Sequence, residues 1–285
     1  MEKGTTRTRL AGLARRAGAV RAAGAAGVTA ATAATAAAAG AVTGAAAGSA
    51  AGGAAAVIAH AAPGITAIGP LRRKCFPALA GFGAPGHIAL TFDDGPDSRS
   101  TPRFLDLLAA RGTHATFFLL GSMVARAPGL AAEITAAGHE VGVHGWDHRY
   151  LPLRGPRAVH DDIARARDAV AAATGAVPAF YRPPHGVLSS AALATAGRLG
   201  LTPLLWTCWG REWVAGATAE SVLATIRRDL TAGATVLLHD SDCTSPPGSC
   251  RSALGALPAL LDECAGRGWR VGTAAEHGCG AGVTA

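Results

Sequence analysis

The chain has 285 residues, 49% of them apolar and 16% charged, which provides a core of domain size and excludes global disorder. Its net charge of +7 is unevenly placed: residues 1–21 hold six Lys/Arg against Glu2, Arg72, Arg73 and Lys74 add three more, and from Cys75 onward 17 basic residues meet 18 acidic ones. The folded part is therefore nearly neutral, which argues against a nucleic-acid partner.

Residues 22–71 contain no Asp, Glu, Lys or Arg and are dominated by Ala, Gly and Thr. A basic start ahead of an uncharged run has the outline of an export signal or a membrane anchor. The run is weakly hydrophobic, with larger aliphatics concentrated at Val57-Ile58 and between Ile65 and Ile68, so an Ala/Gly-rich tail is the competing reading. Membrane association through residues 22–71 is one expectation, and a cytoplasmic location is the other. Residues 72–85 read as a linker, 86–277 as the folded domain and 278–285 as a tail.

From Gly86 the pattern predicts, in order, a strand at His87–Phe92, a helix at Thr101–Arg111, a strand at Ala115–Leu120 and a helix at Ala125–Ala137. A strand at Glu140–His144, a helix at Arg157–Thr174, a strand near Phe180 and a helix at Ser189–Leu199 follow. The series closes with a strand at Leu201–Trp206, a helix at Ala219–Thr231, a strand at Ala234–His239, a helix at Ser252–Arg267 and a strand at Trp269–Val271. Strict β/α alternation with short connections predicts an α/β fold with parallel strands. A distorted (β/α) barrel of about seven parallel strands is expected, with a doubly wound open sheet as the alternative.

Reactive groups in such a barrel gather at the C-terminal strand ends. Those ends carry Asp93-Asp94, His144, Arg182 and His239. Two adjacent carboxylates after an apolar strand need a cation or a proton, and on an extended chain they point opposite ways; alone, Asp-Asp-Gly-Pro is an ordinary turn. His144 and His148 straddle Gly145 and, with one carboxylate, form an open three-ligand metal site; alone, they are two unrelated histidines. Arg182-Pro183-Pro184-His185-Gly186 stiffens a loop and offers an arginine to a carboxylate. Leu237-Leu238-His239-Asp240 ends an apolar strand in an imidazole, whose plain reading is a core histidine capped by Asp240. His139 reads as structural, and Asp161-Asp162 as first-turn acids on a solvated helix face. The six cysteines show no zinc-site spacing; Cys243 and Cys250 are either free thiols or the ends of a small disulfide loop.

Taken in this order, the four segments resemble the polysaccharide deacetylase (NodB-homology) domain, carbohydrate esterase family 4. The resemblance covers about Gly86 to His277. It implies a distorted barrel that removes acetyl groups from N-acetylated amino sugars of a glycan, with one divalent metal, most commonly zinc. It implies Asp94, His144 and His148 as metal ligands, Asp93 as general base oriented by Arg182, the His185 amide as oxyanion donor and His239 as general acid. Leu237 is expected to line the pocket for the acetyl methyl. Three departures stand out: Gly145 replaces a hydroxyl residue, His185 replaces a tyrosine, and Trp209 and Glu212 stand where aspartates are usual. Glu212 is expected to tune a neighbouring charge, Trp213 to form a groove wall, and Trp209 to be either a sugar-stacking face or a core aromatic. Deacetylation of a small N-acetylated sugar metabolite and a non-catalytic carbohydrate-binding barrel are the alternative functions.

Overall fold

Eight parallel strands form one sheet: β1 (His87–Asp93), β2 (Thr116–Leu119), β3 (Glu140–Val143), β4 (Phe180–Tyr181), β5 (Thr202–Pro203), β6 (Cys208–Trp209), β7 (Thr235–His239) and β8 (Arg270–Gly272). The structure is a computed structural model that describes residues 47–279. The basic start, residues 22–46 of the uncharged run and residues 280–285 of the expected tail lie outside the described residues. Two units divide the chain, Met1–Ala56 and Val57–Ala285, and the sheet lies wholly in the second.

The strand order is β5-β4-β3-β2-β1-β7-β6, with β8 also paired to β1. The terminal strands β5 and β6 are not paired with each other, so the barrel stays open there. The helices between strands are α4 (Thr101–Ala110), α5 (Gly121–Arg126), α6 (Pro128–Ala136), α7 (Pro156–Thr174), α8 (Ser190–Arg198), α9 (Ala219–Arg227) and α10 (Ser249–Gly266). Ahead of the sheet lie α1 (Ala47–Ala61), α2 (Gly69–Cys75) and α3 (Pro77–Ala80).

Side chains alternate across each strand, which divides the core into layers. Ile88, Leu90 and Phe92 of β1, Phe117 and Leu119 of β2, and Val236 and Leu238 of β7 pack against the helices in the main cluster, with Phe104, Ile134, Val222 and Leu257. A second cluster joins Val143 and Tyr181 to Val159, Ile163 and Ala192. Phe118, Phe180, Leu204 and Cys279 form a separate inner cluster.

The expected barrel holds, with three local differences. The helix expected at Ala125–Ala137 is two, α5 and α6, because Pro128 has no amide to donate and disfavours helical geometry at Ala127. The strand expected at Leu201–Trp206 shrinks to Thr202–Pro203, and an unpredicted strand, Cys208–Trp209, pairs with β7 instead. Residues 72–85, expected as a linker, are largely helical and packed. Leu79 O accepts from Leu205 N at 2.8 Å, Gly81 O from Thr235 Oγ1 at 2.6 Å, and Ala84 N donates to His277 O at 2.9 Å. Among the described residues no single helix is long and apolar enough to cross a membrane; Gly53–Ala67 and Gly69–Cys75 together pass on length and composition but are bent by 91°.

Candidate active site

The outward packing of Leu90 and Phe92 turns Thr91 and Asp93 of β1 inward, and that of Val236 and Leu238 does the same for Leu237 and His239 of β7. The register pairs Asp93 with His239 and Thr91 with Leu237. A carboxylate and an imidazole therefore stand side by side at the C-terminal strand ends, on backbones about 5 Å apart.

Asp93 Oδ1 accepts from Arg182 Nη1 at 2.7 Å. The fully buried Arg182 also donates to Thr91 Oγ1 (2.8 Å) and to the carbonyls of Leu204 (3.1 Å) and Leu205 (2.9 Å), so it ties the end of β1 to the segment after β5. Burial lowers its pKa, and the Asp93 carboxylate works against that shift.

Asp94 leaves the strand with φ 76°. This left-handed residue overturns the expectation that the two carboxylates diverge: both reach one imidazole. His144 Nε2 lies 3.6 Å from Asp93 Oδ2 and 3.4 Å from Asp94 Oδ1, and His148 Nε2 lies 3.6 Å from the same Asp94 oxygen. One ligand atom from each of Asp94, His144 and His148 lies within 4.8 Å of the others. His144 Nδ1 donates to Arg182 O at 2.8 Å, which holds the ring with Nε2 toward the two carboxylates.

Asp94 Oδ2 accepts from Thr244 Oγ1, but Oδ1 is buried with no hydrogen-bond partner. Burial pushes this carboxyl upward, yet His148, His239 and His144 together hold it below its ordinary value. Burial pushes His148 down to about 4, so it is neutral and a competent ligand near neutral pH. A buried carboxylate oxygen without a donor, facing two imidazoles, fits a divalent cation.

The loop holding His144 and His148 is shaped by residues the sequence reading assigned elsewhere. Gly145 has φ 81°, and a Cβ there would fall 2.9 Å from Asp162 Oδ1. Asp162 is buried, not solvated: Oδ1 accepts from Trp146 N at 3.0 Å and Oδ2 from Arg154 Nη1 at 3.2 Å. Its carboxylate thus supports the loop at Trp146 and occupies the space that a side chain at position 145 would need. The signal was helical spacing, since Val159, Asp162, Ile163, Ala166 and Val170 form one buried stripe of α7. Arg165, on the same helix, stacks over the Trp146 ring with its guanidinium carbon 3.5 Å from the ring centroid.

His185 takes φ 59°, and its ring packs edge-on against His148 with centroids 4.3 Å apart. Burial pushes it down to about 4. Glu212, 1% exposed, accepts from both His239 N (2.6 Å) and His239 Nδ1 (2.9 Å) through one oxygen. Burial alone would lower the pKa of His239, but the charge and hydrogen bond of Glu212 raise it to about 9. Trp213 packs edge-on to His239 at 5.2 Å and Trp209 edge-on to Trp213 at 5.4 Å, while Leu237 joins Leu205 and Trp206 in one buried cluster with Trp209 against it.

Asp240 does not cap a core histidine. It is buried, accepts from Thr101 Oγ1, is pushed up to about 7 by burial, and lies where a Cβ on Gly95 would collide. His139 is structural as expected, accepting from Ala115 N through Nδ1 at 3.2 Å. All six cysteines are free, and Cys243 Sγ donates to Asp94 O at 3.4 Å.

A model of the polysaccharide deacetylase family matches residues 83–204. The peptidoglycan-N-acetylglucosamine deacetylase of Listeria monocytogenes is 40% identical over 156 residues, covering 54% of this chain and 32% of that protein. The chitooligosaccharide deacetylase of Bradyrhizobium sp. is 39% identical over 173 residues, covering 59% of this chain and 76% of that protein. The match thus spans about a third of the Listeria protein and three quarters of the rhizobial one. Among solved structures, a family 4 carbohydrate esterase from Streptomyces lividans, in complex with acetate, superposes with a TM-score of 0.58 at 30% identity, covering 67% of this chain and 93% of that one.

Proposed function

The chain belongs to the polysaccharide deacetylase family, and from that membership we propose that it is a metal-dependent hydrolase removing acetyl groups from N-acetylglucosamine units of a peptidoglycan- or chitin-like glycan. The observation that carries this reading is the convergence of an unpartnered Asp94 oxygen and two imidazoles beside an arginine-held carboxylate and a glutamate-held histidine. The named activities of the Listeria and Bradyrhizobium relatives support the substrate class.

Asp94, His144 and His148 would hold the ion, and their one-oxygen, two-nitrogen set suits zinc. An ion there supplies Lewis acidity to water and to the acetyl carbonyl. Asp93, aimed by Arg182, takes the proton of the attacking water. Charge developing on the carbonyl oxygen meets the His185 backbone amide. His239 enters protonated, because Glu212 raises its pKa to about 9, and gives its proton to the nitrogen as the C–N bond breaks. The amine and acetate then leave. Leu237, with Leu205 and Trp206, receives the acetyl methyl, and Trp213 beside His239 forms a wall of the sugar groove, continued by Trp209.

Association of the N-terminal side with a lipid surface belongs to the same proposal. It is supported by the uncharged run at residues 22–71 and by the exposed side chains of Val57, Ile58, Ile65, Ile68 and Phe76.

Acetate release from N-acetylglucosamine oligomers and from peptidoglycan tests the reaction, with zinc-loaded, chelated and Asp93→Asn protein compared. Release that requires both zinc and Asp93 is expected. Zinc bound without release from either glycan would shift the substrate to a small N-acetylated sugar, and a folded chain that binds no zinc would remove the ligand assignment.

A further inference from the structure

Four consecutive carbonyls cross the open seam between β5 and β6, and arginine side chains take all four. Arg182 donates to Leu204 O (3.1 Å) and Leu205 O (2.9 Å), Arg72 to Trp206 O (2.8 Å) and Arg73 to Thr207 O (3.2 Å). Arg182 is the side chain that aims Asp93. Arg72 and Arg73 come from α2, ahead of the region that the family comparison matches.

Arg72 is 3% exposed, and both of its hydrogen bonds go to carbonyls, the second to Thr66 O at 2.9 Å. Its guanidinium lies 4.9 Å from the Trp206 ring, on which Arg182 also bears at 5.8 Å. A buried cation held by neutral acceptors alone is costly to desolvate, and what its two hydrogen bonds fix is the position of the Thr66 and Trp206 carbonyls. Trp206 is where its effect would be felt. The ring contacts Gly186, next to His185, so closely that a Cβ there would fall 2.5 Å from Cη2. It also shares a buried cluster with Leu237 and Leu205, against which Leu79 of α3 and Trp209 pack.

We propose that Arg72 is a positioning residue for the acetyl pocket: from outside the matched region it fixes the Trp206 carbonyl and ring, and through them the width of the pocket that Leu237 and Trp206 line. The proposal rests on the deacetylase reading for its substrate and for Leu237 and Trp206 as walls of the acetyl pocket, whereas the hydrogen bonds of Arg72 stand without it. It makes the segment from Thr66 to Leu79 a working part of the site. Arg182 and Arg72 hold the two halves of one seam, so the base-orienting arginine and the pocket wall share a mount.

The test uses the full chain with Arg72→Met, which keeps the aliphatic bulk, and Arg72→Lys, which reaches only one carbonyl at a time. Three quantities are read: zinc affinity by calorimetry, hydrogen exchange of the 204–209 amides, and the ratio of kcat/KM for N-acetyl over N-propionyl oligosaccharide. The ratio is independent of how much protein is active, so a merely structural role would not move it. Expected are unchanged zinc affinity, faster exchange at 204–209, and an acetyl preference narrowed by roughly threefold or more, less so in the Lys variant. A wild-type ratio in Arg72→Met, even with a lower thermal midpoint, overturns the proposal. Should that variant fail to fold, the Lys variant decides alone: its wild-type ratio would overturn the proposal in the same way. If the wild-type chain releases no acyl group, the deacetylase reading fails, and exchange unchanged at 204–209 would separately overturn Arg72 as the mount of Trp206.

Discussion

One carboxylate oxygen of Glu212 accepts both the backbone and the ring N–H of His239, so position and protonation are set by the same contact. Because the raised value, about 9, lies above the ordinary 6.5, this interaction stabilises the fold fully below about pH 6.5 and is lost as pH rises through about 9. Glu212→Gln removes the charge that outweighs burial. The His239 midpoint, followed by NMR in the metal-free chain, is expected to fall by roughly one unit or more, and the alkaline limb of kcat/KM to move down with it. A limb that stays in place would assign the acid to another group. The stability deficit of the variant is expected to be largest below pH 6.5 and to close as pH rises past 9. Asp94→Asn probes the other side of the site: it keeps an acceptor for Thr244 but removes the anionic ligand, and zinc affinity is expected to drop by about 100-fold or more.

The elements that carry these residues differ in how plainly the sequence announces them. Strand ends were legible, because apolar runs such as Ile88–Phe92 and Val236–Leu238 alternate with helices, and strand parity then aims Asp93 and His239 inward. The turn of Asp94 back toward His144 was not, since a left-handed residue outside glycine leaves no periodic trace. Nor was β6: two residues long and paired with β7, it depends on a long-range partner rather than on its own pattern. The Asp162 support was hidden for a related reason, its carboxylate reaching 16 residues back to Trp146. That support reverses the obvious reading of Gly145. Restoring a hydroxyl residue with Gly145→Ser places a Cβ 2.9 Å from Asp162 Oδ1 on a backbone with φ 81°, so zinc affinity is expected to fall by about tenfold, not rise. Calorimetry on the folded variant checks this, and tighter binding would return the loop's support to a hydroxyl.

Over the whole molecule, the open seam of the barrel is bridged by side chains and carbonyls from the segment ahead of β1. Leu79 O, Gly81 O and the α2 arginines bond to the seam and to β7, and Ala84 meets the C-terminal His277. A chain trimmed to residues 86–285 keeps every candidate ligand and acid–base group but leaves the Trp206 and Thr207 carbonyls without their arginines and uncovers the Leu205–Trp206–Leu237 cluster. Each lost charged hydrogen bond is worth about 1.5–3 kcal/mol, and a domain of this size shifts by about 2–4 °C per kcal/mol. The trimmed chain is therefore expected to melt roughly 5–15 °C below one beginning at Val57, the start of the second unit. Zinc affinity, which the proposed triad of Asp94, His144 and His148 would set, should survive at temperatures where both chains are folded. Equal thermal midpoints for the two would show that the barrel closes on its own and return residues 72–85 to the role of linker.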